Sequence, residues 1–182
     1  HVTEILKLVN SCPVFLDHYR DAWASAANTP FRFWKKESYE GGICTPFIVH
    51  WPARLKGMEN TVNRGVAHVI DILPTCLELA NANYPSSIHG LKTSTYAGES
   101  LIPLIYGKIN STHDTLFWEH EGGRAIRIGN WKMASLKDQK WELFNLEKDK
   151  TEINDLSSQY PDRVEDMNKL WEDWAKKVNL YK

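Results

Sequence analysis

The chain's densest concentration of potential chemistry is Asn28-Thr29-Pro30-Phe31-Arg32-Phe33-Trp34-Lys35-Lys36, followed by Tyr39-Glu40-Gly41-Gly42-Ile43-Cys44-Thr45-Pro46. A lysine ammonium carries three donors on a long stem, so a lysine at a pocket rim can neutralise an oxyanion. The Gly41-Gly42 pair permits positive φ and close backbone approach just after those basic residues. Taken by themselves, these residues fit a solvated basic turn better than an anion site. His68 and Asp71, three apart, suggest a metal, but Asp71 in the role of helix cap explains itself without one.

The elements that would hold these residues follow from periodicity. Pro46–Trp51, PFIVHW, is short, apolar and β-rich, which predicts a buried strand. Asp71 is placed to cap a helix over about 72–80, with Ile72, Thr75, Cys76 and Leu79 on one face and Pro74 in the first turn. Residues 81–98, rich in Asn, Ser, Gly and Thr, predict a long surface loop. TLFWEH (115–120), RAIRIGNWKMAS (124–135) and WELFNL (141–146) predict an antiparallel meander. From Pro161, Val164, Met167, Trp171, Trp174 and Val178 recur at threes and fours, the stripe of an amphipathic helix. Residues 1–30 show a helical tint over Val2–Val9 and then a polar, Ala-rich passage, expected to form an irregular lead-in.

Composition bounds the rest. The 182 residues are 42% hydrophobic and 25% charged, ordinary for a globular protein. A net charge of −1 without a basic stripe gives no electrostatic case for nucleic acid. No apolar run is long enough to span a bilayer, and the opening His1-Val2-Thr3-Glu4 has no secretory-signal pattern. Cys12, Cys44 and Cys76 fit no zinc spacing and are expected to be buried or half-buried thiols. Eight tryptophans suit core packing first and carbohydrate stacking second.

Pro30-Phe31-Arg32 and Lys35-x-x-x-x-Glu40-Gly41-Gly42 resemble the segment that carries the active-site lysine of type I (arylsulfatase-like, formylglycine-dependent) sulfatases. The resemblance continues through Pro46–Pro52, His68-x-x-Asp71-Ile72-x-Pro74-Thr75 and Trp118-Glu119-His120-Glu121-Gly122. Arg124-Ala125-x-Arg127, Gly129-x-Trp131-Lys132 and Trp141-Glu142-Leu143-Phe144 complete it, in family order, over roughly residues 22–178. It implies an α/β fold, α+β in its C-terminal part. Residues 1–105 would be an incomplete, alkaline-phosphatase-like catalytic core, and residues 106–182 an antiparallel sheet with a packed C-terminal helix.

The resemblance also implies roles. Lys35 would contact the sulfate and neutralise charge on its oxygens and on the leaving alkoxide; Lys36 would do so only if the register slipped by one. His120 stays open between a contact to the sugar or aryl part and an ordinary surface or structural histidine. Arg32 stays open between a place near the sulfate and an ion pair with a neighbouring carboxylate. Cys44 and Gly123 depart from the family, standing where a basic or small residue and an Asn are common. Complete members use calcium and a formylglycine made within Cys/Ser-x-Pro-x-Arg. Ser11-Cys12-Pro13-Val14-Phe15 lacks the arginine and lies too close to Lys35, and no Asp-Asp or Asp-Asn pair occurs. No metal ligand or cofactor is therefore assigned to this chain, which is expected to be inactive alone.

Three readings follow: a C-terminal sulfatase fragment, a stand-alone sulfated-glycan-binding module, or a structural remnant. The expected substrate is a sulfate ester, of a carbohydrate by preference, and the expected partners are a second copy or the missing N-terminal part. The parent family works in the periplasm or outside the cell.

Overall fold

A computed structural model describes residues 21–180; Val2–Val9 and the Ser11–Phe15 segment lie outside the described residues. Helices and small antiparallel sheets alternate along the chain, in two compact units. One comprises residues up to 47 together with 115–182, and the other residues 48–114.

In the first unit, α1 (Asp21–Ala27) is a regular helix where the sequence predicted an irregular lead-in. Its Ala-rich composition, with four alanines in seven residues, supports helix despite the absence of an apolar stripe. A single helical turn, α2 (Glu40–Ile43), follows. The predicted meander forms as four strands: β3 (Thr115–His120), β4 (Gly123–Ile128), β5 (Trp131–Ser135) and β6 (Glu142–Asn145), paired in sequence order. RAIRIGNWKMAS divides because Gly129, at φ +56°, turns the chain between β4 and β5. α5 (Pro161–Lys177) begins at the predicted proline; Val178 lies past its end and is exposed.

Both faces of this sheet are covered. Ile126, Met133 and Leu143, cross-strand neighbours in register, pack on Met167, Trp171 and Ala175 of α5. Phe117 stacks on Trp174 with ring centroids 5.2 Å apart, and Trp171 meets Trp141 edge-on at 5.8 Å. The opposite face carries Ala125, Ala134 and Phe144, and it is closed by Tyr39 and Phe33 from the segment just before α2. The indoles of Trp131, Trp141, Trp171 and Trp174 thus serve the core, as expected of most tryptophans.

The 48–114 unit contains a 3-10 turn, Val69–Asp71, running into α3 (Ile72–Leu79). A two-residue hairpin, β1 (Ser87–Ile88) with β2 (Leu91–Lys92), interrupts the predicted surface loop, and α4 (Ile102–Ile105) follows. The predicted strand at 46–51 does not form. Residues 44–50 have no ladder partner, and Ile48 is 89% exposed. A central strand needs neighbours on both sides, and no described segment supplies them. Cys44 and Cys76 are exposed thiols, contrary to the expected burial. Among the described residues no helix is long and apolar enough to cross a membrane.

Candidate functional site

The loop bearing Lys35 is shaped by contact with the two glycines. A Cβ on Gly41 would stand 2.1 Å from the Arg32 carbonyl oxygen, and one on Gly42 1.9 Å from that of Glu37. The close approach foreseen for the pair is real, whereas neither glycine adopts positive φ; Phe33 (φ 60°) and Lys36 (φ 120°) do so instead. Gly41 N–H donates to the Arg32 carbonyl (3.1 Å), and the Asn28 side chain donates to the Phe33 carbonyl (3.2 Å). Lys35 itself is exposed on this loop, with half-buried Trp34 before it.

Beneath the loop lies a charge network built from the sequence motifs themselves. Lys132 points from β5 into the face closed by Tyr39 and is fully buried. Its Nζ lies 2.7 Å from Glu40 Oε1 and 2.8 Å from Glu152 Oε1. Glu152 Oε2 accepts from the Glu40 backbone N–H (2.7 Å). Burial raises the Glu152 carboxyl above its ordinary value, against the pull of Lys132.

Arg32 is held at the edge of the same network. Its guanidinium donates to the Glu152 carbonyl at 2.6 Å, pairs with Glu142 at 3.5 Å, and lies about 5 Å from the Phe33 and Tyr39 ring centroids. The Tyr39 hydroxyl donates to Glu142, and burial together with that carboxylate pushes the phenol pKa upward. Arg32 therefore has the ion-pair placement, with the guanidinium taken up by protein groups. Glu40 acts on the turn and its support, through its backbone N–H to Glu152 and its carboxylate to Lys132. Sequence reasoning missed Lys132, Glu142 and Glu152 as supports of the lysine loop; Lys132 and Glu142 stood within quoted motifs, but nothing local links them to Lys35.

His120 ends β3 and is exposed, paired across a tight turn with Gly123. Gly122, at φ +90°, occupies the turn, and its N–H donates to Glu119 Oε1 (2.9 Å). This turn adjoins the lysine loop: Lys36 Nζ pairs with Glu121 Oε2 at 3.1 Å, and a Cβ on Gly123 would sit 3.4 Å from Glu37 Oε2. The fold thus places the residue following Lys35 against the residue following His120, although the two lie 85 positions apart in the chain.

In the 48–114 unit Asp71 does not cap α3 with its side chain. It is fully buried, and its carboxylate accepts from His68 N–H (2.9 Å), Glu99 N–H (2.9 Å), the Thr112 hydroxyl (2.7 Å) and His113 Nε2 (2.6 Å). Burial opposes ionisation, but these donors outweigh it and hold the carboxyl below the ordinary carboxylate value. His68 and Asp71 form a reciprocal box at the 3-10 turn rather than a metal pair, and burial lowers the His68 pKa. Among the described residues no group of three or more His, Cys, Asp or Glu side chains could hold a metal ion. Asp71, the one fully buried aspartate among the described residues, has both oxygens filled by protein donors, so these residues do not fit a calcium cradle.

Residues 31–178 match the family model described as N-sulphoglucosamine sulphohydrolase, C-terminal. An uncharacterized sulfatase of Schizosaccharomyces pombe is 34% identical over 160 residues, covering 84% of this chain and 28% of that protein. Arylsulfatase K of Danio rerio is 32% identical over 152 residues, covering 76% of this chain and 27% of its own length. The crystal structure of Ps i-CgsB in complex with k-i-k-neocarrahexaose superposes with a TM-score of 0.62 at 26% identity, covering 81% of this chain and 32% of that one. The chain thus spans between a quarter and a third of the length of these proteins. The mixed α/β architecture with its C-terminal sheet and helix is a sulfatase architecture, and the chain belongs to the sulfatases, in the N-sulphoglucosamine sulphohydrolase C-terminal family.

Proposed function

We propose that this chain is the C-terminal part of a hydrolase of sulfate esters, acting on sulfated carbohydrates, in which Lys35 binds the sulfate. The observation that carries this reading is the lysine loop: an exposed ammonium on a turn locked by Gly41 and Gly42 over a buried network. An oxyanion contact needs a fixed cation more than a mobile one, because preorganisation spares reorganisation as charge develops. His120, on the turn tied to this loop through Lys36 and Glu121, supplies the contact to the remainder of the substrate. The oligosaccharide bound by Ps i-CgsB supports carbohydrate over simple aryl esters.

The chain alone is proposed to be inactive. A lysine accelerates nothing unless an attacking group shares its pocket, and neither calcium ligands nor a formylglycine site is assigned to these residues. Incubation with an aryl sulfate and calcium should give no turnover, and clear hydrolysis would overturn the fragment reading. Calorimetry against sulfated and unsulfated oligosaccharides separates the alternative of a non-catalytic binding module. That alternative requires sulfate-dependent binding lost in Lys35→Ala.

Association accompanies this reading. Phe47 and Ile48 lie on an unpaired segment, with Val62 and Val69 further along, all more than 60% exposed. Apolar side chains exposed in this way favour contact with either a second copy or the N-terminal portion of a sulfatase. A sizing profile that stays monomeric at every concentration would count against self-association. The periplasm or the cell exterior is the compartment proposed for the parent protein.

A further inference from the structure

Asn110-Ser111-Thr112, in the 48–114 unit, is the only Asn-x-Ser/Thr triplet in the 182 residues. Asn28-Thr29-Pro30 and Asn60-Thr61-Val62 carry their hydroxyl one place too early. In such a triplet the hydroxyl two residues on makes the asparagine carboxamide an acceptor for sugar.

The fold leaves the Asn110 carboxamide accessible and anchors what surrounds it. Asn110 lies past the end of α4, in a run, 106–110, that is exposed at every position. Its side chain makes no hydrogen bond among the described residues. Its backbone carbonyl accepts from Val66 N–H (3.0 Å), and Thr112 N–H donates to the Val66 carbonyl (3.1 Å), so that Ser111 bridges Val66 in parallel. Gly65 admits this approach, since a Cβ there would stand 3.2 Å from the Asn110 carbonyl oxygen. The Ser111 hydroxyl donates to the His113 carbonyl (2.6 Å), and the Thr112 hydroxyl turns inward to the buried Asp71 carboxylate (2.7 Å). A branch on Asn110 Nδ2 therefore displaces none of these contacts.

We propose that Asn110 is the acceptor of an N-linked glycan, added before the 48–114 unit closes. Nδ2 forms a bond to the anomeric carbon of a lipid diphosphate-linked oligosaccharide. The C1–O bond to phosphate breaks, the lipid diphosphate leaves with the electron pair, and one amide proton is released. The order follows from Thr112: the transferase must grip a hydroxyl that the folded unit has given to Asp71. The proposal takes the cell exterior, of the two compartments named above, and makes no use of Lys35.

The test places the full chain behind a cleavable signal sequence and translates it with microsomes, scoring only the protease-protected product. A single mobility step, removed by peptide N-glycosidase, is expected, and it should be lost in Asn110→Gln, Thr112→Val and Ser111→Pro but kept in Thr112→Ser. A protected chain without the step, or a step that survives Asn110→Gln, overturns the assignment at the residue. Detergent-solubilised transferase should modify a 106–116 peptide and leave the purified folded chain untouched; equal modification of the two overturns the order. Chain recovered from its own cells should carry the same glycan, and its absence there beside a filled microsomal site overturns the proposal through the compartment.

Discussion

Replacing Lys132 by methionine would leave Glu40 and Glu152 facing each other in a closed site. At an effective dielectric of about 20, unit charges near 3 Å attract by about 6 kcal/mol. Lys132 has two such partners, at 2.7 and 2.8 Å. Desolvation offsets much of that gain, and breaking a buried pair from one side costs about 3–5 kcal/mol. Against a total domain stability of about 5–15 kcal/mol, the loss is severe. Urea unfolding of the sheet-and-helix unit, followed by fluorescence of buried Trp171, measures it.

The pH dependence of that loss identifies its origin. Burial already raises the Glu152 carboxyl above its ordinary value of 4.5. The folded state thus holds the Glu152 proton more tightly than the unfolded chain does. Its contribution is fully present below the unfolded value and is lost as pH rises through the folded one. Without Lys132 the folded value climbs further, so the Lys132→Met deficit should be greatest at neutral pH and shrink on acidification toward 4.5. Adding Glu152→Gln should recover part of it. A loss below about 1 kcal/mol, or a deficit independent of pH, would refute the claim that Lys132 neutralises two buried carboxylates.

Gly41→Ala forces a methyl against two backbone carbonyls, and should lower stability by about 1–3 kcal/mol while speeding tryptic cleavage at Lys35 and Lys36; unchanged cleavage would contradict the close packing. Asp71→Asn sets an amide group against two of the four donors that the carboxylate accepts, and should cost about 2–3 kcal/mol by urea unfolding. Because the folded Asp71 value is depressed, its contribution is present above the ordinary 3.8 and is lost as pH falls through the folded value, a dependence that the variant should lack. Glu121→Gln breaks only an exposed pair and should leave the thermal midpoint unchanged, whereas a clear drop would mean that the tie between the two loops is worth more than exposure allows.

Legibility in the sequence followed range. The meander and α5 were readable because alternation and three-four spacing are local, and they sit where the patterns place them. Lys35 was singled out through its distance to Glu40, and the glycine pair shapes the intervening loop by close packing rather than by backbone sign. The network under it joins Lys132 to Glu40 across 92 positions and Arg32 to Glu152 across 120, separations at which no periodicity operates. PFIVHW has the composition of a strand, but a strand exists only with neighbours, and composition does not report them. Asp71 looked like a helix cap because its most distant partners, Thr112 and His113, lie some forty residues downstream.

The Asp71 carboxylate also bears on the order in which the 48–114 unit assembles. Its bonds to Thr112 and His113 close a loop of about 42 residues, while the His68 contact spans only three. Closing a loop of that length sacrifices chain entropy before the hydrogen bonds return anything, so those contacts form late. Interactions absent from the transition state govern how fast a structure opens rather than how fast it forms. The aspartate is therefore a brake on opening: its loss should leave the refolding rate of this unit nearly untouched and shorten the lifetime of the folded form.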